Sequence, residues 1–200
     1  MKLVVMTDST FFVEEDKILC ALFEEGLDNL HISKADDSPL YFERLLSLIP
    51  KAYRPYITIH QQFRLKDEYA LSGIHLDRAG DAVPPYYRGR IGRTCSNPVL
   101  LREMKRKSDY VILDGIGVQD GVGGPGISDY ELEEIRRQKL LGRHVYAMGR
   151  IGLDDIPLLR KMGFGGIVVR DELWEKFDVH SDFDFKRLIA YYRQLKTYLE

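Results

Sequence analysis

The sequence predicts a single-domain α/β fold, a closed (β/α)8 TIM barrel spanning residues 1–200. Three observations carry that prediction. Short β-branched runs recur eight times, most are continuous rather than alternating, and segments of helical period lie between them. Continuous apolar runs suit parallel strands covered on both faces, and strands alternating with helices indicate a parallel sheet. Eight units favour closure; such barrels usually have ~250 residues, so this one is lean, with short lower loops. An open doubly wound sheet is the runner-up. It would carry a glycine-rich dinucleotide loop after the first strand, where this chain has Thr7-Asp8-Ser9-Thr10-Phe11-Phe12.

The strands are expected at residues 3–6, 29–33, 56–60, 73–76, 90–93, 110–113, 145–149 and 166–169. The first helix, over 14–26, carries Ile18, Leu19, Leu22 and Phe23 on one face and stops at Gly26. The second, over 38–49, opens with Ser38-Pro39, an N-cap followed by proline at the first helical position. A third helix at 98–106 follows Ser96-Asn97. Ser128-Asp129-Tyr130-Glu131 has capping-box spacing ahead of Leu132 and Ile135. Residues 153–162 end in Gly163, and 184–199 close the chain with Leu188, Ile189, Tyr192, Leu195 and Leu199 on one stripe. Residues 80–89, broken by Pro84 and Pro85, read as a loop or single turn.

Composition excludes several classes of function. The chain has 29 Lys+Arg against 31 Asp+Glu, a formal net charge of −2 and 44% hydrophobic residues. That balance argues against nucleic acid as a partner, since polyanion binders show an excess or stripe of cations. At this length about 70% of the unfolded surface can be buried around one core. Cys20 and Cys95 lack CxxC spacing and are too few for a disulfide framework, which fits a reducing compartment. The opening apolar run is cut by Asp8, too short for a signal peptide, and no run approaches the ~20 residues of a membrane span. The expectation is a cytoplasmic protein with a small phosphorylated molecule as partner, no membrane, and room for a homo-oligomer.

In such a barrel, functional residues follow the C-terminal ends of the strands. Gly149-Arg150 after strand seven, and Gly165-Gly166 leading through strand eight to Arg170, suit a phosphate site built from backbone N–H groups and a helix N-terminus. The same glycines would also serve close packing and tight turns. Lys34 reads either as a ligand for a diphosphate or as a solvated loop lysine. His60 reads either as a proton shuttle or anion donor, or as a histidine packed at the rim. His75, inside an apolar strand, reads as a satisfied core histidine. Asp77 and Asp81 offer carboxylates for Mg2+ beside a substrate phosphate, or form a solvated acidic loop. Residues 114–126 form a long glycine-dense loop without lysine or arginine, resembling a lid.

Six segments together resemble the thiamine phosphate synthase and TenI superfamily. They are Leu3-Val-Val-Met-Thr-Asp8, Gly73-Ile-His-Leu76, Ile91-Gly-Arg-Thr-Cys95, Ser108-Asp-Tyr-Val111, Val145-Tyr-Ala-Met-Gly149 and Gly163-Phe-Gly-Gly-Ile-Val-Val169, in the family's order and spacing from residue 1 to about 180. The resemblance implies a (β/α)8 barrel that binds a thiazole phosphate with its last two loops. In the synthase this partner displaces pyrophosphate from hydroxymethylpyrimidine diphosphate, assisted by Mg2+.

The loop positions and the resemblance together make Lys34, His60 and Thr94 the expected catalytic set. Gln61, Gly149, Arg150, Gly166 and Arg170 are expected at substrate and phosphate, and Asp81 at the metal. Several family positions differ. Of a Gln-x-Arg-x-Lys pattern only Lys34 remains in Leu30-His-Ile-Ser-Lys34, and His60-Gln61 replaces Asn-Asp, whose aspartate is a metal ligand. The lysine of the sixth loop falls among Gly121–Gly124 and is missing. Gly-Gly after strand seven is Gly149-Arg150, and a small polar residue after strand eight is Arg170. Ser96 stands where the TenI tautomerase has its histidine. Cations are thus lost on the diphosphate side and gained on the monophosphate side, leaving synthase chemistry, a TenI-like tautomerase and a non-catalytic phosphate binder as alternatives.

Overall fold

The structure, a computed structural model, describes residues 1–117, 126–178 and 184–200. Eight parallel strands close in sequence order into a barrel: β1 (Lys2–Met6), β2 (Leu30–Ile32), β3 (Ile57–Ile59), β4 (Gly73–Leu76), β5 (Arg90–Cys95), β6 (Tyr110–Ile116), β7 (Val145–Gly149) and β8 (Gly166–Val169). Closure runs through β1 and β8, with Lys2 opposite Gly166 and Val5 opposite Val169. The helices are α1 (Glu15–Glu24), α2 (Pro39–Leu48), α3 (Leu65–Glu68), α4 (Leu101–Arg106), α5 (Asp129–Arg137), α6 (Ile156–Met162), α7 (Asp171–Trp174) and α8 (Lys186–Leu199). None is long and apolar enough to cross a membrane.

Strand parity sorts the core into two shells, because successive residues of a strand face opposite sides. Residues such as Val5, Leu30, Ile32, Ile57, Ile59, Ile74, Val111, Leu113 and Ile167 face outward and pack with the helices. Their neighbours Val4, Met6, Tyr110, Ile112, Tyr146 and Val168 form a separate inner cluster around the barrel axis. Each fully buried Leu or Ile contributes about 1.5–3 kcal/mol relative to exposure, so the outer shell holds the helices on the sheet.

Local signals act as the residues dictate. Ser128 and Glu131 form the reciprocal capping box of α5, and Asn97 accepts from Val99 N ahead of α4. Gly163 ends α6 at φ +101°, a conformation that costs glycine little. Residues 80–89 form no helix, as Pro84 and Pro85 require. Two boundaries move toward the mouth, the C-terminal end of the barrel. β5 continues to Cys95 and β6 to Ile116, because pairing persists through Thr94 with Ile112 and Ile116 with Gly149. Thr94 is therefore a strand residue rather than a loop residue. The short α3 had no counterpart in the sequence pattern. Most of the glycine-rich loop read as a lid, 118–125, lies outside the described residues.

Candidate active site

Three histidines from neighbouring strands meet inside the barrel. His31 is the central residue of β2, His60 follows β3 and His75 lies in β4; all three are buried. His60 Nδ1 is 2.7 Å from Asp77 Oδ1, and His60 Nε2 is 3.0 Å from His31 Nδ1. His31 Nε2 is 3.2 Å from the Tyr110 hydroxyl, which is also 3.2 Å from His75 Nδ1. His75 Nε2 is 2.8 Å from Thr94 Oγ1. Every imidazole nitrogen thus has a partner, as a buried polar group requires.

The backbone makes room for this arrangement at one position. A Cβ on Gly92 would lie 2.1 Å from Tyr110 Cζ and 2.4 Å from His75 Nδ1. No residue with a side chain could stand there while Tyr110 reaches His75. Burial pushes the pKa values of His31 and His75 well below the ordinary imidazole value, with neighbouring positive charge acting in the same direction. Both rings are neutral at pH 7.

The mouth carries a different set. Thr94 and Asp114 end the inward rows of β5 and β6, and Arg170 follows β8. Burial raises the Asp114 pKa, opposed by the charge of Arg170. The Arg170 side chain is 31% exposed, with Nη1 3.6 Å from Met6 Sδ and Nε 3.3 Å from Asp171. Gly149 has φ +141°, and a Cβ there would lie 2.1 Å from Ile116 O. The Arg150 amide donates to Ile116 O at 2.8 Å, so what Arg150 offers a ligand is its side chain, on an exposed residue.

A thiamine phosphate pyrophosphorylase from Bacteroides thetaiotaomicron is similar to this chain at 39% identity, covering 99% of this chain and 97% of its own, with a TM-score of 0.89. The chain belongs to the thiamine phosphate synthase and TenI family. A thiamine phosphate pyrophosphorylase from Pyrococcus furiosus shares the fold at 18% identity, covering 100% of this chain and 97% of its own, with a TM-score of 0.72. So does a 3-hexulose-6-phosphate synthase at 14% identity, with full coverage of both chains and a TM-score of 0.66. No protein-family model and no curated protein matches the sequence.

The residues carried over from this family are not all brought together. Thr94, Gly149, Arg150 and Arg170 gather at the mouth. Gly166 does not: it begins β8 opposite Lys2, at the other end of the barrel, and a Cβ there would lie 2.6 Å from Lys2 O. It is a packing glycine. The Lys34 side chain is fully buried, with Nζ 2.5 Å from Glu15 Oε1, 2.8 Å from Thr10 O and above the Phe11 ring. Its ammonium is enclosed between Glu15 of α1 and the loop that follows β1. Gln61 donates to Lys34 O and accepts from Lys34 N, tying the ends of β2 and β3 together.

Mg2+ takes hard oxygen ligands and is commonly held by one or two carboxylates together with substrate phosphates and water. Gln61 Oε1 and Nε2 are both engaged by the Lys34 backbone, so of the positions carried over only the Asp81 carboxylate, whose Oδ2 accepts from Arg78 N at 2.9 Å, would hold the ion. Among the described residues, the one group of three potential metal ligands is the histidine cluster rather than a set of carboxylates. Sequence reasoning missed His31, Tyr110 and Glu15. The first two could have been found as inward positions on strands of a closed barrel. Glu15 pairs across 19 residues with no local signal.

Proposed function

We propose that this protein is thiamine phosphate synthase-like, condensing hydroxymethylpyrimidine diphosphate with thiazole phosphate to give thiamine phosphate and pyrophosphate at the C-terminal mouth of the barrel. The observation that carries this reading is the 39% identity to a thiamine phosphate pyrophosphorylase over 99% of the chain. Arg150 and Arg170 would supply positive charge to the thiazole phosphate, since guanidinium groups bind phosphate through paired, charge-assisted hydrogen bonds. The apolar inner residues Met6, Ile112 and Val168 lie below, on the side where the uncharged part of the ligand would rest. Purified protein incubated with both phosphorylated halves, with and without Mg2+, is expected to release thiamine phosphate and pyrophosphate. No product above background in either condition overturns the reading.

A second reading is TenI-like isomerisation of the thiazole phosphate. The commitment of Lys34 to Glu15 favours it. A diphosphate leaving group calls for cations that neutralise developing charge, whereas isomerisation needs only a path for a proton. Thiazole phosphate alone, followed by NMR in D2O, separates the two: exchange at a ring-adjacent carbon without the pyrimidine supports the second.

A further inference from the structure

We propose that Asp77, His60, His31, Tyr110, His75 and Thr94 form a proton relay through the barrel interior, with Thr94 as its ligand-facing end and Asp77 as its solvent-facing end. The inference rests on the mouth being the ligand site, as above, and holds whichever phosphorylated ligand binds there. Five hydrogen bonds of 2.7, 3.0, 3.2, 3.2 and 2.8 Å join the six groups without a gap. Both ends lie near the C-terminal edges of their strands, while the middle is fully enclosed. The Asp77 side chain is 42% exposed and reaches water.

The inventory of donors and acceptors sets the direction of the chain. As a carboxylate Asp77 can only accept, so His60 carries a proton on Nδ1; with one proton on the ring, Nε2 accepts. His31 must then be protonated on Nδ1, Tyr110 must donate to His31 Nε2, and His75 must donate from Nδ1 to the Tyr110 oxygen. Thr94 is left donating to His75 Nε2, with the lone pairs of its oxygen open to a ligand donor. One charged end thus fixes three tautomers, all opposite to the Nε2–H form that a free imidazole prefers. The neutral state this demands is the one burial imposes on His31 and His75, and burial likewise raises the Tyr110 pKa, keeping its proton in place.

In the transfer step a ligand group X–H gives its proton to Thr94 Oγ1 while the Thr94 proton moves to His75 Nε2. The His75 Nδ1 proton passes to Tyr110, the Tyr110 proton to His31 Nε2, the His31 Nδ1 proton to His60 Nε2, and the His60 Nδ1 proton to Asp77. The ligand keeps the electron pair of the broken bond and Asp77 becomes a neutral acid. No residue between them gains net charge. Reversal returns a proton through Thr94 and restores every tautomer, so a reaction that removes and replaces one proton leaves the chain ready for another cycle.

A metal ion does not explain the cluster. All six imidazole nitrogens already have hydrogen-bond partners, and the His60 and His75 rings are stacked 4.3 Å apart at 23°. Their in-plane lone pairs run side by side instead of converging on one ion.

The test is two-bond 15N–1H correlation of histidine-labelled protein at pH 7, without ligand, together with metal analysis of the same sample. It reads tautomers directly, so its outcome is separate from that of the synthase assay. In the wild type, His31, His60 and His75 are all expected as Nδ1–H. In Asp77→Leu, all three are expected to flip to Nε2–H, including His75, which does not touch Asp77. In Tyr110→Phe, a core change of one hydroxyl, His31 and His60 keep Nδ1–H while His75 flips. A merely structural set of contacts would leave His75 unmoved in Asp77→Leu, and that result overturns the relay. So does an Nε2–H or doubly protonated ring in the wild type, or one equivalent of bound transition metal. Should Asp77→Leu fail to fold, the wild-type and Tyr110→Phe spectra decide alone.

Discussion

From β6 through β7 and β8 to β1, the barrel axis is filled by Val4, Met6, Ile112, Tyr146 and Val168; from β2 to β5 it is filled by His31, Thr58, His60, His75 and Thr94. Tyr110 stands between the two, its ring in the apolar cluster and its hydroxyl bonded to two histidines. The apolar half asks only for volume, and hydrophobic residues of similar size exchange there at small cost. The polar half asks that every donor meet an acceptor, because a buried group without a partner costs about 1–3 kcal/mol. Only this second demand fixes orientation, and with it the tautomers a proton path would need.

The largest expected effect is on the polar half. His31→Leu removes the partner of both His60 Nε2 and the Tyr110 hydroxyl, and two orphaned groups imply a loss of about 2–6 kcal/mol in urea unfolding at pH 7. Ile112→Val, across the axis, is expected to cost only about 0.5–1.5 kcal/mol. Equal losses would erase the contrast. Next is Gly92→Ala, whose new methyl overlaps Tyr110 and His75 and should cost about 1–3 kcal/mol.

Acid provides a smaller, graded test. His31 and His75 have depressed pKa values in the fold, so the unfolded chain takes up protons first as pH falls below 6.5, and stability is lost. Each contributes a slope of about 1.4 kcal/mol per pH unit. Glu15 works in the opposite direction. Burial raises its pKa from 4.5 to about 7, so between those values the native state holds the extra proton and gains stability on acidification. The two histidines and Glu15 therefore oppose one another as the pH falls from 6 to 5. Glu15→Gln should make the loss of stability on acidification steeper, and a flat profile in that variant would mean that the histidines titrate normally.

Much of this molecule was legible in the sequence because its strands are short, continuous and β-branched, and its helices carry explicit caps. All eight predicted strands occur, since parallel strands buried on both faces advertise themselves without reference to distant residues. The strand ends were less legible. Thr94 and Asp114 look like loop residues, yet pairing with the next strand carries both into the sheet. His75 was recognisable as a satisfied core histidine, and His60 as a candidate for proton transfer. Their union with His31 was not, because only closure of the barrel brings positions 31, 60, 75 and 110 together. Lys34 shows the converse. A lysine after strand two is a plausible ligand group until α1 folds Glu15 against it, and nothing near either residue announces that pairing.

The smallest effect is the sharpest probe of where the polar half ends. Thr58 Oγ1 is buried in that half with no hydrogen-bond partner. Valine has nearly the same shape and removes only the hydroxyl, so Thr58→Val should leave stability within about 0.5 kcal/mol or raise it slightly, the desolvated oxygen being of no benefit where it stands. The mirror exchange, Val168→Thr, places a hydroxyl among Val4, Met6 and Ile112 and should cost about 1–3 kcal/mol. Two near-isosteric exchanges, measured side by side by urea unfolding, thus differ because of the half in which each sits. A loss above about 1 kcal/mol in Thr58→Val would mean that the hydroxyl does bond, Tyr110 being the group whose pKa it lowers, and that the relay has a branch at its midpoint.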